Sequence, residues 1–168
     1  MLSIGYLFQI LYVVIIFILL LRKYTVQKNV YEAVISFGFL IYLLKLIDIV
    51  LFPIVFDFPD SQYSFTMEII PLKSAIDSLQ YIGLKALLRQ VGGNILLFVP
   101  LGFFTAIRFK KIKSTKMVAF LSFSISVLIE MLQGVINIIT KNNSRAVDIT
   151  DVLMNTIGGI LGYVIFLI

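Results

Sequence analysis

The side chains of this sequence that could do chemistry sit inside stretches apolar enough to cross a bilayer. Within Met117 to Ile139, Ser122, Ser126, Glu130, Gln133 and Asn137 recur at steps of four, four, three and four, so they share one helical face. Asp148, Asp151, Asn155, Gly158 or Gly159, and Gly162 follow the same spacing at and beyond the start of the next apolar run, Val152 to Ile168. An unpartnered carboxylate in lipid is expensive, so two polar stripes on neighbouring helices are expected to face each other. Asn94, at the mouth of another apolar stretch, and Arg145, in the loop between the two stripes, complete the candidate set. Three kinds of chemistry are open to these residues. Amides and a guanidinium can bind a ligand, Glu130 or Asp148 can act as a base, and Asp148 with Asp151 can hold a divalent cation. Glu130 is expected to find its partner in Asp148, Asp151 or Asn155, as the donor of a hydrogen bond.

Composition sets the class that must position them. Hydrophobic residues make up 60% of the 168 and charged residues 14%, with a mean hydropathy of +1.05; these values belong to a membrane protein. The length leaves room for one membrane domain, residues 1–168, and for no separate soluble one. Cysteine and histidine are both absent, which removes thiol catalysis, thiolate metal sites and a Ser-His-Asp triad. No P-loop, zinc or dinucleotide signature is present, so no cofactor is predicted and no metal site is assigned. The net charge of +5 would suggest nucleic acid in a soluble protein. Here no folded basic domain surrounds the charges, and their distribution is that of loops flanking membrane spans.

The predicted architecture is all-α, a polytopic integral membrane helical bundle of about five transmembrane helices with an interfacial amphipathic helix. Leu2 to Leu21 forms the first span; the positive charge follows the run, and no small-residue cleavage site marks it as a signal peptide. Ala33 to Phe56 forms the second, with Lys45 and Asp48 three apart on one face and Pro53 placed to bend or end it. From Leu72 to Arg89 apolar residues at helical spacing predict a helix lying at the membrane surface. Val91 to Phe109, interrupted at Pro100, Met117 to Ile139 and Val152 to Ile168 complete the spans. Gly158 and Gly162 offer a small-residue face to another helix, within the chain or in a helix-mediated oligomer. Eight of the 14 Lys and Arg fall in the short loops after the first and third spans, which places those loops in the cytoplasm and the carboxyl terminus with them. The two stripes then converge toward the outer face, with Glu130 roughly 13 Å from the end of its helix.

With these residues in hand the chain resembles the VanZ-like family, named for a glycopeptide (teicoplanin) resistance protein. The resemblance rests on Gly93-Asn94 through Phe98, Pro100 and Gly102, on Glu130-Met131-Leu132-Gln133, and on Asp148, Asp151, Asn155, Gly158, Gly159 and Gly162. Ile69-Ile70-Pro71-Leu72 is a weaker echo of a family loop, with Glu68 where asparagine is usual. The similar core covers residues 68–163. It implies a multi-pass protein of the bacterial plasma membrane, linked to the cell envelope and to antibiotic resistance at a low level against teicoplanin.

The function expected from residues and resemblance together is ligand binding at an outward-facing polar site. Asn94, Glu130, Gln133, Arg145, Asp148, Asp151 and Asn155 are the ligand-binding candidates, with Arg145 meeting an anionic group. The expected partner is a membrane lipid, a glycopeptide or a lipid-linked cell-wall precursor, and not nucleic acid. Two alternatives remain open: a membrane enzyme acting on a lipid-linked cell-wall substrate, and a small transport element in which Glu130 and Asp48 carry protons.

Overall fold

The computed structural model describes residues 14–15, 18, 22, 30–54, 65–109, 111–112, 114–142 and 146–168. Its elements, in order, are helix α1 (Val30–Leu51), strand β1 (Met67–Glu68), helices α2 (Lys73–Asp77), α3 (Leu84–Leu87), α4 (Gly93–Arg108) and α5 (Thr115–Thr140), strand β2 (Val147–Asp148) and helix α6 (Ile149–Leu167). Among the described residues four helices are long and apolar enough to cross a membrane: Val30–Leu51, Leu84–Arg108, Thr115–Thr140 and Ile149–Leu167. The architecture is therefore that of an all-α membrane helical bundle. The expected first span, Leu2 to Leu21, lies almost wholly outside the described residues. Residues 1–47 and 48–168 form two compact units; in the first, the Phe39 and Tyr42 rings, three residues apart on α1, stack at 6.3 Å.

Within the second unit the usual arrangement of a soluble protein is inverted. Leu96, Phe120 and Met131 are 71%, 74% and 63% exposed, while Ser122, Ser126 and Thr150 are fully buried. Apolar residues outside and polar residues inside suit a bundle whose solvent is hydrocarbon. The helices start and stop where local chemistry dictates. α1 ends at Leu51, two residues before Pro53, which has no amide hydrogen to continue the ladder. α5 opens on Ser114, whose hydroxyl accepts from the Met117 N–H at 3.3 Å, and closes on Lys141 in the left-handed region at φ 52°. α6 opens on Asp148.

The third span differs from expectation at its start. It runs unbroken from Leu84, seven residues before the predicted Val91, through a π-helical turn at Leu88–Gly92 into α4. The single surface helix predicted over Leu72 to Arg89 is correspondingly divided. α2 continues through a π-helical turn, Ser78–Ile82, and stops at Gly83, whose φ of 108° is open to glycine and strained for other residues. The apolar periodicity spans this break because a glycine leaves the spacing on either side intact.

α4 and α6 form the most extensive helix pair. A Cβ on Gly158 would lie 2.2 Å from the Ile95 carbonyl oxygen, one on Gly162 would lie 1.9 Å from that of Val99, and one on Gly102 would lie 1.9 Å from that of Gly159. The two backbones therefore touch over successive turns, and the predicted small-residue face is covered by a helix of the same chain. Gly159 also faces α5, where its Cβ would meet the Ser122 hydroxyl at 1.9 Å. Three helices meet there. Pro100 removes one backbone donor inside α4, and the Thr105 hydroxyl donates to the Leu101 and Gly102 carbonyls at 2.8 and 3.1 Å just beyond it.

Candidate functional site

The centre of the site is Asp148, the last extended residue before α6. Its backbone N–H donates to Glu130 Oε2 at 2.9 Å, across from the middle of α5. Its Oδ1 accepts the Thr150 N–H at 2.7 Å, which caps α6, and its Oδ2 accepts from the Gln90 side chain at 3.3 Å. Gln90 in turn donates to Ser74 Oγ at 3.0 Å and accepts from Ser78 Oγ at 2.8 Å. Ser74 reaches the Thr150 hydroxyl at 3.2 Å, and the same hydroxyl accepts the Leu72 N–H at 3.0 Å. A partly buried polar network thus ties α2, the turn before α4, α5 and the start of α6 to one residue.

β1 and β2 pair in parallel, Met67 opposite Val147 and Glu68 opposite Asp148. This two-residue ladder sets Glu68 beside the network. The Glu68 carboxylate accepts the Ile70 N–H at 3.2 Å and binds the Lys73 ammonium, closing a loop that passes through Leu72 at φ 64°. The Lys73 hydrogen bond, with the Ile70 one behind it, holds the Glu68 carboxyl below its ordinary value of 4.5, and Glu68 raises Lys73 above 10.5.

The two polar stripes face each other as the spacing requires. Ser122, Ser126, Glu130, Gln133 and Asn137 are all buried on α5, and Asp148 and Asn155 are buried opposite. Asn155 donates to Ser126 Oγ at 2.8 Å. Gln133 donates to the Val50 carbonyl at 2.8 Å, in the last turn of α1, where the helix leaves carbonyls without intrahelical partners. Both amides therefore join helices. Asn94 and Gln90 bring amide hydrogens within reach of the Asp151 carboxyl, whose Oδ1 is buried without a hydrogen-bond partner among the described residues, as are Ser122 Oγ and Asn155 Oδ1. The carboxyls of Glu130, Asp148 and Asp151 are close enough to act on one another electrostatically. Among the described residues no three or more His, Cys, Asp or Glu are grouped to hold a metal ion.

Two cavities meet at this network. An apolar groove of about 360 Å³ runs along α5, walled by Val127, Met131, Val135 and Ile138 and by Phe65, Met67 and Val147, with Glu130 and Asp148 at its inner edge. A second cavity of about 660 Å³, the cleft, is lined by the polar Glu68, Ser74, Asp77, Ser78 and Asp148 together with the apolar Phe65, Met67 and Ile82. Phe65, Met67, Glu68 and Asp148 line both.

The structure thus brings together Asn94, Glu130, Asp148 and Asp151, and sets Gln133 and Asn155 to either side along the same stripes. Arg145 lies outside the described residues. The expected Glu130–Asp148 contact exists, but its direction is reversed, because Glu130 accepts from a backbone N–H that the extended strand leaves pointing at α5. Sequence reasoning missed Gln90, Ser74, Ser78, Asp77 and Thr150. The signal was present in the four-residue intervals Ser74–Ser78 and Gln90–Asn94, each placing two polar groups on one helical face.

With the geometry established, comparison with known proteins supplies the family. The family model described as VanZ/LLP1 matches residues 39–168. No curated protein and no solved structure matches the chain. The chain belongs to the VanZ-like family.

Proposed function

We propose that this VanZ-like membrane protein binds an amphiphile of the cell envelope, a lipid or a lipid-bearing glycopeptide or cell-wall precursor, at the junction of α5, α6 and the β1–β2 ladder. The observation that carries this reading is the pair of cavities: an apolar groove and a cleft bearing carboxylates and hydroxyls, which share Phe65, Met67, Glu68 and Asp148 in their linings. A chain laid against Met131, Val135 and Ile138 would bring its head to the carboxylates and hydroxyls of the cleft. Asp148 lines both cavities and is tied to Glu130 through its backbone N–H. Placement in the bacterial plasma membrane with the site outward belongs to the same proposal, as does any contribution to teicoplanin resistance.

Gly134 provides the test. A Cβ there would lie 3.2 Å from Val147 Cγ2 and 3.7 Å from the Phe65 ring, both walls of the groove. Native mass spectrometry of the full chain in a neutral polyether detergent, titrated with dodecyl maltoside, is expected to show one saturable adduct. Gly134→Leu, folded by circular dichroism, should weaken that adduct by about tenfold or more, since a buried apolar chain loses ~0.8 kcal/mol for each methylene displaced. Unsaturable binding, or an adduct indifferent to Gly134→Leu, would refute the reading.

A further inference from the structure

The exposed apolar residues of α5 measure how far a bilayer reaches along it. They run from Met117 through Phe120, Leu128 and Val135 to Ile139. At ~1.5 Å per residue that stripe is roughly 33 Å long, against about 30 Å for a hydrocarbon core. Glu130 lies roughly 13 Å inside the end of the stripe at Ile139. The Asp148 N–H binds Glu130, and Asp148 stands opposite Glu68 in the ladder, so β1 and β2 lie inside the stripe with it.

The chain that follows β1 is fitted to hydrocarbon. Met67, Ile69 and Ile70 are each more than half exposed, and the charge of Glu68 between them is matched by Lys73. Backbone groups in lipid must find partners within the protein. The Ile70 N–H donates to the Glu68 carboxylate, that of Leu72 to the Thr150 hydroxyl and that of Lys73 to the Ile70 carbonyl. Pro71 has no N–H to satisfy. Met67 and Ile69 also line the α5 groove with Met131, Val135 and Ile138, and those three are more than half exposed as well. The apolar surface of the segment is thus continuous with the lipid face of α5.

We infer that residues 67–72 lie within the hydrocarbon layer beside the last turns of α5 and present Met67, Ile69 and Ile70 to the acyl chains of bilayer lipid. Placed in water, the same segment would hold three large apolar side chains exposed together. The groove along α5 then opens sideways to lipid tails. This assigns the surroundings of the segment and stands apart from the amphiphile reading, which concerns what the groove retains.

The chain has no tryptophan and no cysteine, so one of either, introduced singly, reports alone. Full-length Ile69→Trp and Ile70→Trp, monodisperse by size exclusion, are reconstituted in phosphatidylcholine vesicles with and without bromines at the middle of the acyl chains. Leu128→Trp, at an exposed position of α5 within a turn of Glu130, marks the same level against lipid. Both segment tryptophans should be quenched by the brominated chains at least half as strongly as Leu128→Trp. Ile70→Cys should react with N-ethylmaleimide about tenfold more slowly than Asn142→Cys, placed beyond the end of α5, because apolar surroundings keep a thiol neutral. Segment tryptophans left bright by lipid that quenches Leu128→Trp, or equal labelling of the two cysteines, would place the segment in water and overturn the inference. An unquenched Leu128→Trp would overturn it too, by removing lipid from the α5 stripe.

Discussion

Gly162→Ala is the smallest change that tests the helix packing beneath the site. The added Cβ would sit 1.9 Å from the Val99 carbonyl oxygen, 2.8 Å from its carbon and 2.9 Å from the Phe103 nitrogen. Close carbon–oxygen contacts in proteins settle at about 3.3 Å or beyond, so α4 must retreat by roughly 1.4 Å at this point. All three obstructing atoms are backbone, and no side-chain rotation can relieve them. Retreat opens gaps along the neighbouring turn at Gly158 and Ile95, and a gap of that size forfeits much of the dispersion energy there. Overpacking of this kind costs about 1–3 kcal/mol, and the absence of a flexible neighbour argues for the upper end. Gly93→Ala is the control. Nothing lies within 4 Å of its added Cβ, and the exchange should gain up to ~1 kcal/mol from helix propensity. The fraction of monodisperse protein surviving heating in detergent, read by size exclusion, should fall by roughly 5 °C or more in midpoint for Gly162→Ala. The midpoint for Gly93→Ala should hold or rise. A Gly162→Ala variant that melts with the wild type would show that the two backbones do not approach as described.

Two further outcomes follow from the network. Glu130→Gln keeps an oxygen to accept the Asp148 N–H and should melt within ~0.5 kcal/mol of wild type, whereas Glu130→Ala leaves that buried donor unpaired and should lose about 1–3 kcal/mol; equal losses in both would mean that the charge, not the acceptor, matters. The Glu68–Lys73 loop should be pH-sensitive on both sides. Glu68 titrates below 4.5 in the fold and Lys73 above 10.5, so their contribution is complete between these values. It is lost as pH falls through the lowered Glu68 value or rises through the raised Lys73 value. Amide exchange at Ile70 should accelerate at ~pH 3 relative to pH 7, after correction for the intrinsic rate. Glu68→Gln, which removes the ion pair, should remove much of that difference; an uncorrelated Ile70 amide would dissociate the loop from this pair.

The bundle was legible in the sequence because membrane helices obey two strong rules. Apolar runs long enough to span declare themselves, and polar residues inside them must share a face. The stripe from Ser122 to Asn137 obeyed both, and every member is buried. The glycines of α6 were legible for a related reason, since Gly158 and Gly162 recur at one turn. The polar interval before α4 was harder. Gly83 divides a helix there without disturbing its apolar spacing, and the third span is expected from sequence to start late, at Val91 rather than Leu84, because its first turns carry Lys85, Arg89 and Gln90. The β1–β2 ladder was invisible, because two residues on each side carry no alternation to detect. With it went the placement of Glu68 beside Asp148, and hence the cleft. The reversed Glu130 bond has the same origin: side-chain reasoning placed the two carboxyls together but had no means of supplying a backbone donor.

That donor explains why acids are tolerable here at all. Glu130 and Asp148 are buried, Asp151 stands next to them, and none is matched by a described cation within the network. Their hydrogen bonds come from neutral groups instead: the N–H groups of Asp148 and Thr150 and the amides of Gln90 and Asn94. A continuous helix could not provide the Asp148 donor, because its N–H groups beyond the first turn are spent within the helix. An extended residue at the helix start can, and irregular backbone at this depth is permitted only where protein buries it or a cavity borders it. β1 and β2 meet both conditions, buried at Asp148 on one side and bordering the groove and the cleft on the other. The break in helical structure that satisfies Glu130 therefore also borders both cavities, since Asp148 lines each of them.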